Sequence, residues 1–206
     1  MIQMSILRSN LPLRSCEKVY SNYRKYKPYL SSDFNNRCGY CDDFDGWLGG
    51  EGTYHIDHFA PKSKFSELEN VYNNLVYSCA FCNRFKSNDW PSDDYKVTHV
   101  GDIGYIDPCS PKYETHFNRD IYGNINPENE LGIYMHKKLQ LFLSRHRIIW
   151  NLTRIKIELD EIRPLIDQYK HDAEKYKKVK ELYFILSIEF QDYLDYLLGE
   201  KLKNGQ

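Results

Sequence analysis

The sequence predicts an α+β protein: a small, metal-stapled strand–strand–helix core with flanking helices and a largely helical C-terminal region. Three observations carry this expectation. Four cysteines fall into two matched C-x2-C pairs, Cys38/Cys41 and Cys79/Cys82, a spacing suited to zinc. Between the pairs lie two runs rich in strand formers, residues 53–59 and 71–77, the first stopped by Pro61. From about residue 129 the apolar period becomes helical.

With 206 residues, 41% of them hydrophobic, the chain is long enough for one domain or one domain with an extension. It reads as four segments: an N-terminal helical segment, 1–35; the core, 36–92; a crossing segment, 93–128; and the helical region, 129–206. There is no 18-residue apolar run, and the start has no signal-peptide stretch, so a cytoplasmic protein with no membrane association is expected. In a reducing compartment, paired cysteines point to metal rather than disulfide. Cys16 and Cys109 have no nearby partner and read as ordinary thiols. A net charge of −1 argues against a general nucleic-acid coat protein and permits a local basic footprint.

Taken in order, residues 15–31 suit a helix carrying Tyr20, Tyr23, Tyr26 and Tyr29 at every third position with Lys and Arg around them. This is either a basic, aromatic nucleic-acid footprint or a tyrosine packing face with a solvated surface. Residues 34–43 hold the first cysteine pair. Gly46, Gly49, Gly50 and Gly52 mark a flexible connection, expected as a hairpin turn. The second cysteine pair then opens a helix from Cys82 to about Asn88, halted before Pro91. Residues 93–127 read as an irregular but ordered crossing. Ile148, Leu152, Ile155, Leu159 and Ile162 form one helical stripe; Val179, Leu182, Leu186, Phe190 and Leu197 continue it in another. The crowding of Tyr183, Leu186, Phe190, Tyr193, Leu194 and Leu197 suits a partner or oligomer surface, or packing within the chain. The tail from Gly199 to Gln206 is expected to fray.

A strand–strand–helix unit of about 50 residues buries little apolar surface, so four thiolates around Zn2+ would staple it, with Arg37 and Arg84 offsetting their charge. Beside this staple lies His-Ile-Asp-His at 55–58. Phosphodiester hydrolysis needs an attacking water, a proton acceptor and positive charge on the phosphate oxygens. A neutral His58 suits the base. Asp57, and Asn83 on the first helical turn, offer hard oxygen ligands for Mg2+ or Mn2+. Lys62, Lys64, Arg84 and Lys86 are candidate phosphate contacts that would position a backbone rather than select bases. His55 shares a strand face with Asp57; it touches the metal or phosphate, or it is a core-edge histidine bonded to backbone. The residues thus point to a metal-dependent nuclease. The rival is a non-catalytic zinc module that docks nucleic acid or a protein.

The C-x2-C pairs, His-Ile-Asp-His-Phe-Ala-Pro (55–61), Asn-Asn-Leu-Val-Tyr-Ser-Cys-x2-Cys-Asn (73–83) and Lys86 together resemble an HNH endonuclease of the ββα-metal type with zinc knuckles. The resemblance covers residues 38–86. It implies that His58 is the general base, Asp57 a divalent-metal ligand, and Asn74 the asparagine that braces the histidine loop. Asn83 stands at the final position of the triplet, where many members carry histidine, and asparagine there implies Mg2+ or Mn2+. The run from His58 to Phe65, together with Ile106-Asp107-Pro108-Cys109, His116, Arg145 and Arg147, is similar to Septu-type and retron-associated nucleases of anti-phage defence. That likeness implies a DNA-cleaving effector, often partnered with an ATPase encoded beside it. It also raises an accessory part for His116 or an ordering one. An RNA-cleaving, toxin-like nuclease is the alternative within the same chemistry.

Overall fold

The computed structural model describes residues 5–8 and 10–199; residues 200–206 of the tail expected to fray lie outside them. The chain divides into two compact units, Met1–His146 and Arg147–Gln206, so the division falls inside a helix and not at the change of period near 129.

In the first unit the elements run β1 (Ser5–Ile6), α1 (Lys27–Asp33), β2 (His55–His58), β3 (Leu75–Ser78), α2 (Ala80–Lys86), β4 (His99–Val100), β5 (Ile103–Gly104), β6 (Phe117–Arg119), β7 (Ile125–Pro127) and α3 (Glu130–Lys138). The central hairpin pairs β2 antiparallel with β3, Asp57 opposite Val76 and His58 opposite Leu75. All four residues of β3 are buried, as expected of a strand covered on both faces. The expected strand–strand–helix order is therefore present. Helix α2 starts earlier than expected, because Cys79 is its N-cap: the sulfur accepts from Cys82 N at 3.4 Å.

Three segments differ from expectation. The N-terminal helix is short: a 3-10 turn at Tyr23–Tyr26 leads into α1. Pro28 sits in the first turn of α1, where its missing N–H costs nothing, whereas inside a helix over 15–31 it would break one. Residues before it are tied elsewhere: Ser15 N and Oγ bond the Asp33 carboxylate at 2.6 and 2.7 Å. The tyrosines pack, with Tyr26 buried and Tyr20, Tyr23 and Tyr29 laid against the core, so the packing reading holds for the stripe. The glycine-rich stretch forms two 3-10 turns, Asp45–Leu48 and Glu51–Thr53, and not a hairpin. The crossing segment contains the β4–β5 hairpin and supplies β6 and β7 of a three-stranded sheet in the order β1-β6-β7.

The second unit is built from α4 (Ser144–Gln168), most of which lies in it, and α5 (Ala173–Leu198). Ile155 and Leu159 of α4 pack with Leu186 of α5, flanked by Ile162, Tyr183, Phe190 and Tyr193. Asp172 caps α5 at its start, accepting from Lys175 N, and Gly199 ends it at φ 72°. Among the described residues no helix is long and apolar enough to cross a membrane.

Candidate active site and metal centre

Cys38 and Cys41 bracket a tight turn joined to β3 by Gly39 N donating to Tyr77 O at 2.8 Å. A Cβ at Gly39 would come within 2.6 Å of the Phe34 ring and 2.8 Å of Val76, so glycine lets the turn approach the strand. Three side chains bind the turn's carbonyls. Arg8 donates to Gly39 O at 2.9 Å, Tyr113 to Tyr40 O at 2.8 Å, and Arg119, on β6, to Cys41 O at 3.1 Å. The crossing segment therefore helps to hold the first cysteine pair.

The four sulfurs lie within 4.8 Å of one another and all four cysteines are buried. Four thiolates at about 2.3 Å around a tetrahedral Zn2+ would stand about 3.8 Å apart, and Cys41 Sγ and Cys79 Sγ are 3.8 Å apart. Burial pushes the Cys41 and Cys82 thiols well up. Cys38 is driven well down, against burial, by hydrogen bonds from the other cysteines. Such a cluster holds all four as thiolates only with a cation among them. The donor set fits structural zinc.

Charge compensation comes from Arg145 rather than from the expected Arg37 and Arg84. Arg145 Nη1 lies 3.8 Å from Cys79 Sγ and 3.3 Å from Asp43 Oδ2, and its guanidinium covers the Phe81 ring at 3.9 Å. His146 Nδ1 meets the same Asp43 oxygen at 2.9 Å. Arg37 instead pairs with Asp42 at 3.5 Å, and Arg84 is exposed.

Beside the cysteine cluster, Asp57, His58, Pro61, Lys62, Ser63 and Asn83 line a cleft of about 330 Å³, with Ile56, Ser87 and Asn88. Asp57 and His58 are neighbours on a strand, yet both reach the cleft because β2 ends at His58. His58 Nε2 lies 2.9 Å from Glu69 O. A carbonyl only accepts, so Nε2 carries the hydrogen in the neutral ring and Nδ1 keeps the lone pair. Burial pushes His58 below the usual imidazole range, partly opposed by the Glu69 carbonyl. The Tyr23 ring meets the imidazole edge-on at 4.8 Å. Asn74 clamps the loop that follows: its Oδ1 accepts from Ala60 N at 2.8 Å and its Nδ2 donates to Ala60 O at 2.9 Å. Neighbouring Asn73 is exposed.

Asp57 Oδ2 accepts from Tyr40 at 2.5 Å and pairs with Lys86 Nζ at 3.1 Å, so both contacts fall on that one oxygen. Burial raises the Asp57 carboxyl above its ordinary value, although Lys86 and Tyr40 pull the other way. Among the described residues nothing hydrogen-bonds the Asn83 side chain, which is half-buried at the cleft wall.

The remaining expected residues divide. Lys62 reaches the cleft, pairing with Glu69 at 2.6 Å over the Tyr23 ring. Lys64 is exposed with its ammonium 3.3 Å from Trp90 O. Lys86 is not a phosphate contact: it is fully buried, donating to His58 O at 3.0 Å as well as pairing with Asp57. His55 is exposed and does not line the cleft; its place on the face of Asp57 is lost to solvent at the strand's start. His116 shares a hydrogen bond with Asn129 Oδ1 at 2.7 Å. Asn129 caps α3, so His116 takes the ordering role and is not part of the cleft. Sequence reasoning missed Tyr40, Asp43 and His146. Tyr40 lies between two zinc-type ligands and its hydroxyl reaches Asp57, a link no local pattern announces.

The family model for HNH endonuclease matches residues 38–89, the stretch that holds both cysteine pairs, β2, β3 and α2. Residues 38–89 are thus an HNH-like module within a longer chain. The chain is similar to two Septu proteins of Bacillus mycoides (strain KBAB4). It is 24% identical to PtuB over 187 residues, covering 75% of this chain and 62% of that protein. With PtuA it shares 24% identity over 142 residues, covering 58% of this chain and 19% of that protein. The chain therefore spans less than two thirds of either relative. No solved structure matches it significantly.

Proposed function

We propose that this chain is a divalent-metal-dependent endonuclease that hydrolyses phosphodiester bonds in DNA. One observation carries the reading: His58, Asp57 and Asn83 wall a single cleft, with His58 held so that its Nδ1 is free to accept a proton. In this reading His58 Nδ1 takes the proton of the attacking water. Glu69 O holds the ring in that tautomer, and the Asn74 clamp on Ala60 holds the loop that follows the histidine. Asp57 Oδ1 and the Asn83 side chain would hold Mg2+ or Mn2+, two hard oxygen donors with water and substrate completing the shell. When bound, that ion supplies positive charge to the phosphate and the leaving 3′ oxygen. Lys62, Lys64 and Arg84 are the cations left at or near this surface to meet backbone phosphates. The zinc cluster serves as the scaffold and takes no part in the chemistry.

The similarity to the Septu proteins PtuA and PtuB supports a setting in bacterial anti-phage defence. There the chain would act as the nuclease effector beside an ATPase encoded by a neighbouring gene. The test is cleavage of supercoiled plasmid, linear DNA, single-stranded DNA and RNA by zinc-loaded protein with Mg2+, Mn2+ or EDTA, alone and with the neighbouring ATPase. Metal-dependent DNA cleavage supports the reading. Cleavage of RNA alone replaces the substrate, and binding without cleavage under every condition leaves the zinc-module rival.

A further inference from the structure

We infer that the outer face of α5 is a self-association surface, on which a second copy of this chain packs its own α5 antiparallel about a two-fold axis at Ile185. Within the helical unit α5 turns Tyr183, Leu186, Phe190 and Tyr193 toward Ile155 and Leu159. The opposite stripe ought to be polar. It carries Ile185 and Ile188 at 60% and 49% exposure, with Phe184 beside them at 64% and Leu182, at the margin of the packed face, at 48%, an apolar patch of the kind that marks an interaction site.

The flanking charges select the occupant. Lys175, Lys177, Lys178 and Lys180 precede the patch, while Glu189, Asp192 and Asp195 follow it. Lys178, Ile185 and Asp192 are seven residues apart, so they lie in one line along the helix. A two-fold axis at Ile185 sets Ile185 against its copy, Leu182 against Ile188, Lys178 against Asp192 and Lys175 against Asp195. This is the self-complementary pattern that an isologous contact requires. A parallel pairing would set lysine against lysine. Lys178 and Lys175 now hold Glu174 and Asp172 at the surface, pairs worth little and easily exchanged. Glu181 meets Glu189 in this register, and each is already held within its own unit, by Lys177 at 3.9 Å and Arg154 at 3.4 Å.

The inference is independent of the nuclease reading, and its test is the solution mass of the full zinc-loaded chain. Light scattering across about 10 to 200 μM, a range suited to a contact smaller than a standard interface, should show a mass rising from 24.6 kDa toward twice that value. Ile185→Glu should abolish the rise. Lys178→Asp and Asp192→Lys should each weaken association by at least about tenfold, because each sets like charges face to face. The double variant Lys178→Asp/Asp192→Lys should restore it. A wild-type chain that stays monomeric, singles that associate normally, or a double variant as weak as the singles would overturn the inference. The charge swaps lie on exposed positions, so they keep the test decisive even if Ile185→Glu unfolds.

Discussion

Lys86 and Asp57 form a buried ion pair, Nζ to Oδ2 at 3.1 Å, and the same ammonium donates to the carbonyl of His58 at 3.0 Å. One side chain from α2 thereby holds both residues at the end of β2. With Tyr40 on the same carboxylate, it joins helix, strand and cysteine turn at one oxygen. Replacing Lys86 with Ala should cost about 3–5 kcal/mol, since it leaves a buried carboxylate unpaired. Urea unfolding of zinc-loaded protein checks this. A loss below about 1 kcal/mol would mean the pair is not the clasp described.

Loss of a zinc ligand should act on the fold. Cys79→Ser removes one sulfur from the cluster and leaves a hydroxyl able to cap α2, so the loss falls on the metal site. Structural zinc contributes on the order of 10 kcal/mol to small domains, so this variant should lose its roughly one zinc per chain and its cooperative melt. A well-folded, zinc-free Cys79→Ser protein would refute the staple. Mild EDTA should suppress cleavage before it removes zinc, and Mg2+ or Mn2+ alone should restore the activity.

Asn74→Ala should separate positioning from folding. It strips both partners from the Ala60 peptide groups, at a cost of about 1–3 kcal/mol. The loop after His58 would loosen, and a misplacement of that order can cost about 10²-fold in rate. Zinc content should not change. Cleavage at the wild-type rate by a destabilised Asn74→Ala protein would show that the clamp serves stability alone.

The core was readable from sequence because metal ligands and strand ends leave rigid marks. Cysteine spacing announced the cluster, a run of strand formers stopped by Pro61 announced β2, and the family resemblance pointed to Asn74 as the clamp. What escaped was set by contacts far apart in the chain. Arg145 reaches Cys79 across 66 positions and His146 reaches Asp43 across 103, and nothing local marks either. Lys86 escaped for a different reason. It lies four residues after Cys82, on that ligand's inward face, but lysine is so seldom buried that its charge suggested the surface. The tyrosine period over 20–29 imitated a long helix, and Pro28 in its midst was the contrary signal.

The role of His58 as proton acceptor in the proposed metal-dependent nuclease is tested most directly by the cleavage rate of His58→Ala against wild type. Both proteins should be zinc-loaded and compared on plasmid DNA at saturating Mg2+ or Mn2+. His58 lies outside the zinc cluster, so the variant should keep its zinc and its DNA binding while losing about 10² to 10⁴ in rate. A folded His58→Ala protein that cuts as fast as wild type would show that His58 is not the proton acceptor.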